Sequence, residues 1–329
     1  MRSRTVTALV VTYNHARYVA EAVRSAIDQG PELLEVLVVD DGSTDGTVDR
    51  VRALGEPRVR VISGGRRGLE GLSETYNTGL HAARGEYIAI LEGDDRWPAG
   101  KLAAQTRAFD DPEVVVAHGD YAVIGARGTT LRERVRMPVA PGTYDALPAH
   151  LLGSYVMSVT AVIRRSALLA CGGFRQLAGT PHWDYPTFLA LAERGRFRQA
   201  GDVVGVWRKH GASGTLGLAG RDLAGTDLSL DLALATRRRV ATRRDLPSEP
   251  RIRAAWADAF GRNAFQVGRV LLVNRQFADA RDLALRGLGR ARSVRLRLRL
   301  AAVLVAAVTH ADLERILRVR GRSTLEELR

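Results

Sequence analysis

Two apolar runs in this chain end in acidic, glycine-containing turns, and that pairing constrains the fold more than any other feature. LLEVLVV is followed by Asp40-Asp41-Gly42-Ser43, and EYIAIL leads into Glu92-Gly93-Asp94-Asp95. An uninterrupted apolar run of about 4–8 residues closed by a turn reads as a strand buried on both faces, as in a parallel sheet. In such a sheet the carboxyl ends of the strands open onto the crevice that binds ligands. Carboxylates gathered there repel one another unless a cation or hydrogen-bond donors are present, so the pattern suits a hard divalent metal holding phosphates. A solvated turn is the plainer reading of either cluster alone; two clusters at equivalent positions favour a site.

The intervening spacing supports that sheet. A strand is predicted over 5–12, then a helix with Val19, Ala22, Val23, Ala26 and Ile27 on one face, then a strand over 33–39. Ser43-Thr44-Asp45-Gly46 introduces a helix carrying Val48, Val51 and Leu54, followed by a strand over 59–62, a helix over 74–83 and a strand over 87–91. Further strands are expected over 114–117, 156–164 and 203–208, with a helix over 185–194. This alternation makes right-handed βαβ units, hence an α/β fold with a mostly parallel central sheet. Beyond about 220 the pattern becomes arginine-rich amphipathic helix, so the expected division is a domain over 1–219 and a basic helical appendage over 220–329.

Composition narrows the partners. The chain of 329 residues carries a formal charge of +13, yet residues 1–219 hold 26 basic against 24 acidic side chains, and residues 220–329 hold 23 against 12. A nucleic-acid-binding catalytic domain carries its own basic groove, so the near-neutral first part argues against that partner. The single cysteine, Cys171, precludes an internal disulfide, and no Cys/His cluster offers a structural zinc site. The opening MRSRTVTALVVTYN is too short and too interrupted for a signal peptide or membrane span, so a cytoplasmic location is expected.

In order and spacing the segments VVTYNHARYVAEAVRSAIDQ, VLVVDDGSTDGT, SETYNTGLHAARGEYIAILEGDD, VIRRSALLACGGF, WDY and VWRKHGAS resemble the family 2 glycosyltransferases of GT-A fold, over roughly residues 5–215. The resemblance implies a metal-dependent inverting transfer of a sugar from a nucleoside-diphosphate sugar, UDP by default, to an acceptor hydroxyl. It further implies a nucleotide-sugar half over 1–118, an acceptor half over 119–219, and a part in cell-envelope polysaccharide or glycoconjugate synthesis.

By the same resemblance Thr12, Tyr13 and Asn14 lie against the nucleotide, and Asp40 accepts a hydrogen bond from the base. Asp41 either joins it or caps the turn. Asn77 is a candidate sugar or ribose contact, and Arg84 either approaches the phosphates or ends a helix in solvent. Asp94 and Asp95 match the metal-binding acidic motif, Mg2+ or Mn2+ being the implied ion, with Glu92 where the family usually has aspartate. Asp184 is the implied base that deprotonates the acceptor; the acid usual before it is Trp183 here, which either stacks on a sugar or packs the helix start. Arg208 and His210 match a late basic motif that closes over diphosphate and metal, His210 as a metal ligand. Trp97 either lines the acceptor cleft or is buried beside the metal loop.

Rival readings lack their signatures. A nucleotidyltransferase needs a glycine- and basic-rich loop after the first strand, and a dinucleotide-dependent dehydrogenase needs GxGxxG there; VVTYNHARY supplies neither. A non-catalytic sugar-nucleotide-binding or scaffold protein of the same fold is the alternative that Glu92 and Trp183 leave open. The acceptor is a saccharide, a lipid-linked sugar or another hydroxyl compound. The uninterrupted apolar run over 300–308 is too short to cross a bilayer, which takes about twenty residues. The tail therefore either lies peripherally on the inner membrane face or packs on the catalytic domain with its arginines in water.

Overall fold

The computed structural model describes residues 4–211 and 221–311. The order is β1 (Val6–Thr12), α1 (Val19–Ile27), β2 (Leu33–Asp40), α2 (Thr47–Arg52), β3 (Val59–Ser63), α3 (Leu72–Ala82), β4 (Tyr87–Glu92) and α4 (Lys101–Thr106). Next come β5 (Val114–Gly125), β6 (Thr130–Val135), β7 (Gly142–Tyr144), α5 (Leu147–His150), β8 (Val162–Arg164), α6 (Arg165–Ala170), α7 (Asp184–Ala192) and β9 (Arg196–Lys209). The helices α8 (Arg221–Arg239), α9 (Glu249–Val273), α10 (Phe277–Arg290) and α11 (Val294–Thr309) follow.

The strands form one sheet in the order β3-β2-β1-β4-β8-β5-β9-β7, with β6 paired to β5. Its first four members are parallel, because each connection crosses over through a helix. From β8 onward the sheet is mixed: β8 runs antiparallel to β4 and β5, β6 to β5, and β7 to β9. The parallel strands β1 and β2 are buried almost throughout, which is why they read as apolar runs, and they share a core with α1, Trp97, Leu102 and Phe109.

The strand expected over 156–164 is shorter than its apolar pattern. Side chains take the carbonyls that a neighbouring strand would use: Trp97 Nε1 donates to Val159 O at 3.1 Å, and Lys101 Nζ and Gln105 Nε2 each donate to Thr160 O at 2.9 Å. A short 3-10 turn over Ser158–Thr160 results, and only Val162–Arg164 pairs as strand. Conversely, β5 and β9 extend well past the expected 114–117 and 203–208. Trp97 is thus 4% exposed and part of the packing beside the acidic loop.

The described residues divide into two compact units, one of 4–150 with 154–208, the other of 151–153 with 209–211 and 221–311. The boundary expected at 219/220 lies outside the described residues. The second unit is helical and has its own core, in which Phe260, Ala264 and Val267 of α9, Leu283 and Ala284 of α10, and Leu296, Leu300 and Val303 of α11 meet. Gly268 permits one close crossing: a Cβ there would sit 2.8 Å from Val303 Cγ1. Trp256 Nε1 donates to Leu151 O at 3.0 Å, which ties residues 151–153 to this unit.

Candidate active site

Parallel pairing brings the two acidic clusters together. Thr12 is in register with Asp40, and Val11 with Glu92, so β1, β2 and β4 end side by side at one edge of the sheet. The backbone continues that alignment, Asp41 N donating to Thr12 O and Gly93 N to Val11 O, each at 2.9 Å. Gly93 is required by close approach, since a Cβ there would lie 2.4 Å from Thr12 Oγ1 and 2.8 Å from His15 Nδ1.

The loop after β1 is stitched to the loop after β2. Asn14, with φ of 52°, takes Ser43 Oγ on its backbone N–H at 2.8 Å and accepts from Thr44 N at 2.9 Å. His15 N donates to Thr47 Oγ1 and Ala16 N to Asp45 Oδ2, at 2.8 and 2.9 Å. Above this frame the Arg66 guanidinium lies 3.5 Å from the centre of the Tyr13 ring. Buried Asp40 accepts from Ser43 N through Oδ2 at 3.0 Å, while its Oδ1 has no protein partner. A buried acceptor without a donor costs free energy unless a ligand supplies one. Asp41 caps the following glycine-rich loop instead of its own turn, accepting from Arg67 N and Gly68 N at 2.9 Å and from Thr75 Oγ1 at 3.1 Å.

The second cluster is electrostatically loaded. Tyr76 Oη donates to Glu92 Oε1 at 3.0 Å, and Glu92 Oε2 is buried without a partner. Burial, aided by the neighbouring Asp94 charge, pushes the Glu92 carboxyl up to about 7 against the lowering effect of the Tyr76 donor. Burial first, then the charges of Asp94 and Glu92, hold Asp95 well above the ordinary carboxylate range. Asp95 Oδ1 accepts from Arg208 N at 2.7 Å. His15 Nε2 stands 3.9 Å from Asp94 Oδ2. His210 directly follows β9. Carboxylate oxygens whose ionisation is resisted by burial and mutual repulsion, beside imidazole nitrogens, fit a divalent ion such as Mg2+ or Mn2+.

Other sequence-derived candidates have different surroundings. The Arg208 guanidinium is spent inside the protein, donating to Asp94 O at 2.8 Å, to Gly125 O at 3.4 Å and to Glu21 at 2.6 Å, so it holds the acidic loop in place of reaching for a diphosphate. Asn77 clasps Phe174, donating to its O at 2.9 Å and accepting from its N at 2.8 Å. Arg84 precedes β4 and donates its backbone N–H to Glu35, which puts it at the edge opposite the acidic clusters. Asp184 opens α7, its Oδ1 accepting from Tyr185 N at 2.8 Å. Trp183 before it is buried, 4.2 Å from the Tyr76 ring and 5.4 Å from Phe174 between centroids, so it packs the start of the helix. Trp183, Tyr76 and Glu92 therefore form a continuous contact from the head of α7 to the acidic loop. Sequence reasoning missed Tyr76, His15 and Glu21: a tyrosine and a glutamate on helix faces give no local signal, and His15 is marked only by its place after Thr12.

The family model described as Glycosyl transferase family 2 matches residues 7–171. The chain belongs to that family. The succinoglycan biosynthesis protein ExoO of Rhizobium meliloti (strain 1021) is 36% identical over 138 residues, 40% of this chain and 39% of that protein. The UDP-Glc:alpha-D-GlcNAc-diphosphoundecaprenol beta-1,3-glucosyltransferase WfaP of Escherichia coli is 28% identical over 118 residues, 36% of this chain and 46% of WfaP. These matches span less than half the length of either relative. Among solved structures, the mannosyltransferase PcManGT from Pyrobaculum calidifontis, in complex with GDP-Man and Mn2+, is similar at a TM-score of 0.56 and 25% identity, covering 94% of this chain and 87% of PcManGT. The fold of this family 2 member is GT-A, with helices after the sheet domain.

Proposed function

We propose that this chain is an inverting, divalent-cation-dependent glycosyltransferase that moves a sugar from a nucleoside-diphosphate sugar to an acceptor hydroxyl. The observation that carries the proposal is the pair of unpartnered buried oxygens, Asp40 Oδ1 and Glu92 Oε2, on strand ends next to β1. Asp40 is the acceptor for a base N–H, with Thr12, Tyr13 and Asn14 beside it, and Glu92 is the acceptor for donor hydroxyls. Asp94, Asp95 and His210, joined by His15, are the proposed ligands of Mg2+ or Mn2+. When bound, the ion offsets charge that builds on the departing diphosphate. Asp184 is the proposed base: its carboxylate, at the start of α7, takes the acceptor proton as the hydroxyl attacks the anomeric carbon. Arg208 positions the acidic loop.

UDP is the proposed nucleotide, supported by the UDP-Glc of WfaP, although PcManGT holds GDP-Man. The proposed setting is cell-envelope polysaccharide or glycoconjugate synthesis, after ExoO, with a saccharide or lipid-linked acceptor, after WfaP. It places the enzyme in the cytoplasm, peripheral on the inner membrane face. Replacing Asp94 and Asp95 together by alanine tests the reading. Transfer should fall by about a hundredfold or more, with circular dichroism of the variant checking that the fold is retained, since Asp95 is buried and accepts from Arg208 N. Transfer within tenfold of the parent would overturn the cation assignment.

A further inference from the structure

The helix α11 is apolar on two opposite faces, and the second unit uses only one of them. Leu296, Leu300 and Val303 are buried, each standing where a Cβ on Gly261, Gly287 or Gly268 would meet it. On the other side Val294, Leu298, Val305 and Val308 are 72, 67, 60 and 63% exposed. Their spacing of four, seven and three residues keeps them on one stripe of an α-helix. Arg295 and Arg297 lie on the two flanks of that stripe and are exposed. Neither pairs with a carboxylate among the described residues, and VRLRLRLAAVLVAAVT contains no acid. Exposed leucine and valine on a helix already packed along its other side serve no purpose in the unit's own core.

We infer that this stripe is a membrane-surface anchor: Val294, Leu298, Val305 and Val308 enter the acyl boundary while Arg295 and Arg297 meet the phosphates of anionic lipid. The geometry is that of an interfacial helix, whose apolar side sinks shallowly and whose long cationic side chains reach sideways to the headgroups. Spanning is excluded for this helix, because no helix among the described residues is long and apolar enough to cross a membrane. Charge complementarity selects lipid over a second copy of the chain. Two α11 helices facing one another would bring unneutralised arginines together, with no acid on either helix to answer them. The inference rests on the proposed function only in naming the surface by which that enzyme stays at the membrane.

Flotation of the full-length protein with vesicles tests it, using phosphatidylcholine alone and phosphatidylcholine mixed with phosphatidylglycerol at low salt. The protein should float with the anionic vesicles only. Leu298→Glu with Val305→Glu, and separately Arg295→Glu with Arg297→Glu, should each lower the bound fraction by about tenfold or more, with unchanged thermal melting. If the glutamate pair in the stripe does not fold, the arginine pair carries the test. Absence from anionic vesicles, or variants that bind like the parent, would overturn the inference. So would a dimer in solution that Leu298→Glu with Val305→Glu dissociates while the parent ignores both kinds of vesicle. Nucleotide-sugar binding on the same samples separates the two claims: donor binding without flotation rejects the anchor alone, and flotation without donor binding rejects the enzyme reading alone.

Discussion

Glu92 has one oxygen held by Tyr76 and the other buried with no partner, so the protein orients the carboxylate and leaves it one acceptor for a ligand. The Tyr76 ring that holds it packs against Phe174 and Trp183. The same contact reaches Trp183, the residue before Asp184 at the start of α7. Replacing Asp184 by asparagine keeps the shape and removes the charge. Turnover should then fall by about 10²-fold or more while donor affinity is retained, and steady-state kinetics beside calorimetric donor binding would read both; unchanged turnover would remove Asp184 from the chemistry. The acids of the two clusters were legible in the sequence because strand-end carboxylates next to glycine are locally distinctive. Asn77, Arg84 and Arg208 show the limit of that reading. Polar side chains near a motif are as readily consumed by tertiary hydrogen bonds, here those of Asn77 to Phe174 and of Arg208 to Glu21 and Asp94 O, while Arg84 is set apart by its place before β4, and nothing local announces which.

Periodicity served the parallel elements well because each is buried in a regular way, whereas 156–164 broke the rule once side chains of Trp97, Lys101 and Gln105 claimed its carbonyls. The packing of β5, β7, β9 and α5 has a consequence for pH. His118 of β5 and His150 of α5 are fully buried, His118 bonded to Tyr144 Oη at 2.8 Å and His150 stacked edge-on against Phe197. Burial lowers them from 6.5 to about 3 and about 4 respectively, so both are neutral in the fold. The unfolded chain binds protons that the folded chain refuses, so their contribution is complete above about pH 6.5 and is lost as pH falls toward the folded values. Stability should fall by up to about 1.4 kcal/mol per pH unit for each histidine within that window. Denaturant melts from pH 7 to pH 4.5 measure it. His150→Leu should flatten the slope, and an equal slope in parent and variant would refute the account.

At the scale of the whole molecule, the sheet unit carries the family match and every residue proposed for chemistry except His210, which follows the last strand of that sheet. The helical unit owns most of the excess positive charge and a separate core, which explains why the sequence changes character near 220 even though the expected boundary is not among the described residues. Donor identity was not legible in the sequence. The central proposal is narrower: that the joined ends of β1, β2 and β4 form a nucleotide-sugar site that needs a divalent cation. A ligand bound only by the folded state raises stability by mass action, about 2.7 kcal/mol at a hundred times its dissociation constant. Thermal unfolding with UDP-sugars and GDP-sugars, with Mn2+ and with chelator, therefore tests it most directly. The account predicts that at least one nucleotide sugar raises the melting temperature with Mn2+, that chelator removes the shift, and that Asp94→Ala does not show it; a shift of equal size in chelator or in Asp94→Ala would contradict the account.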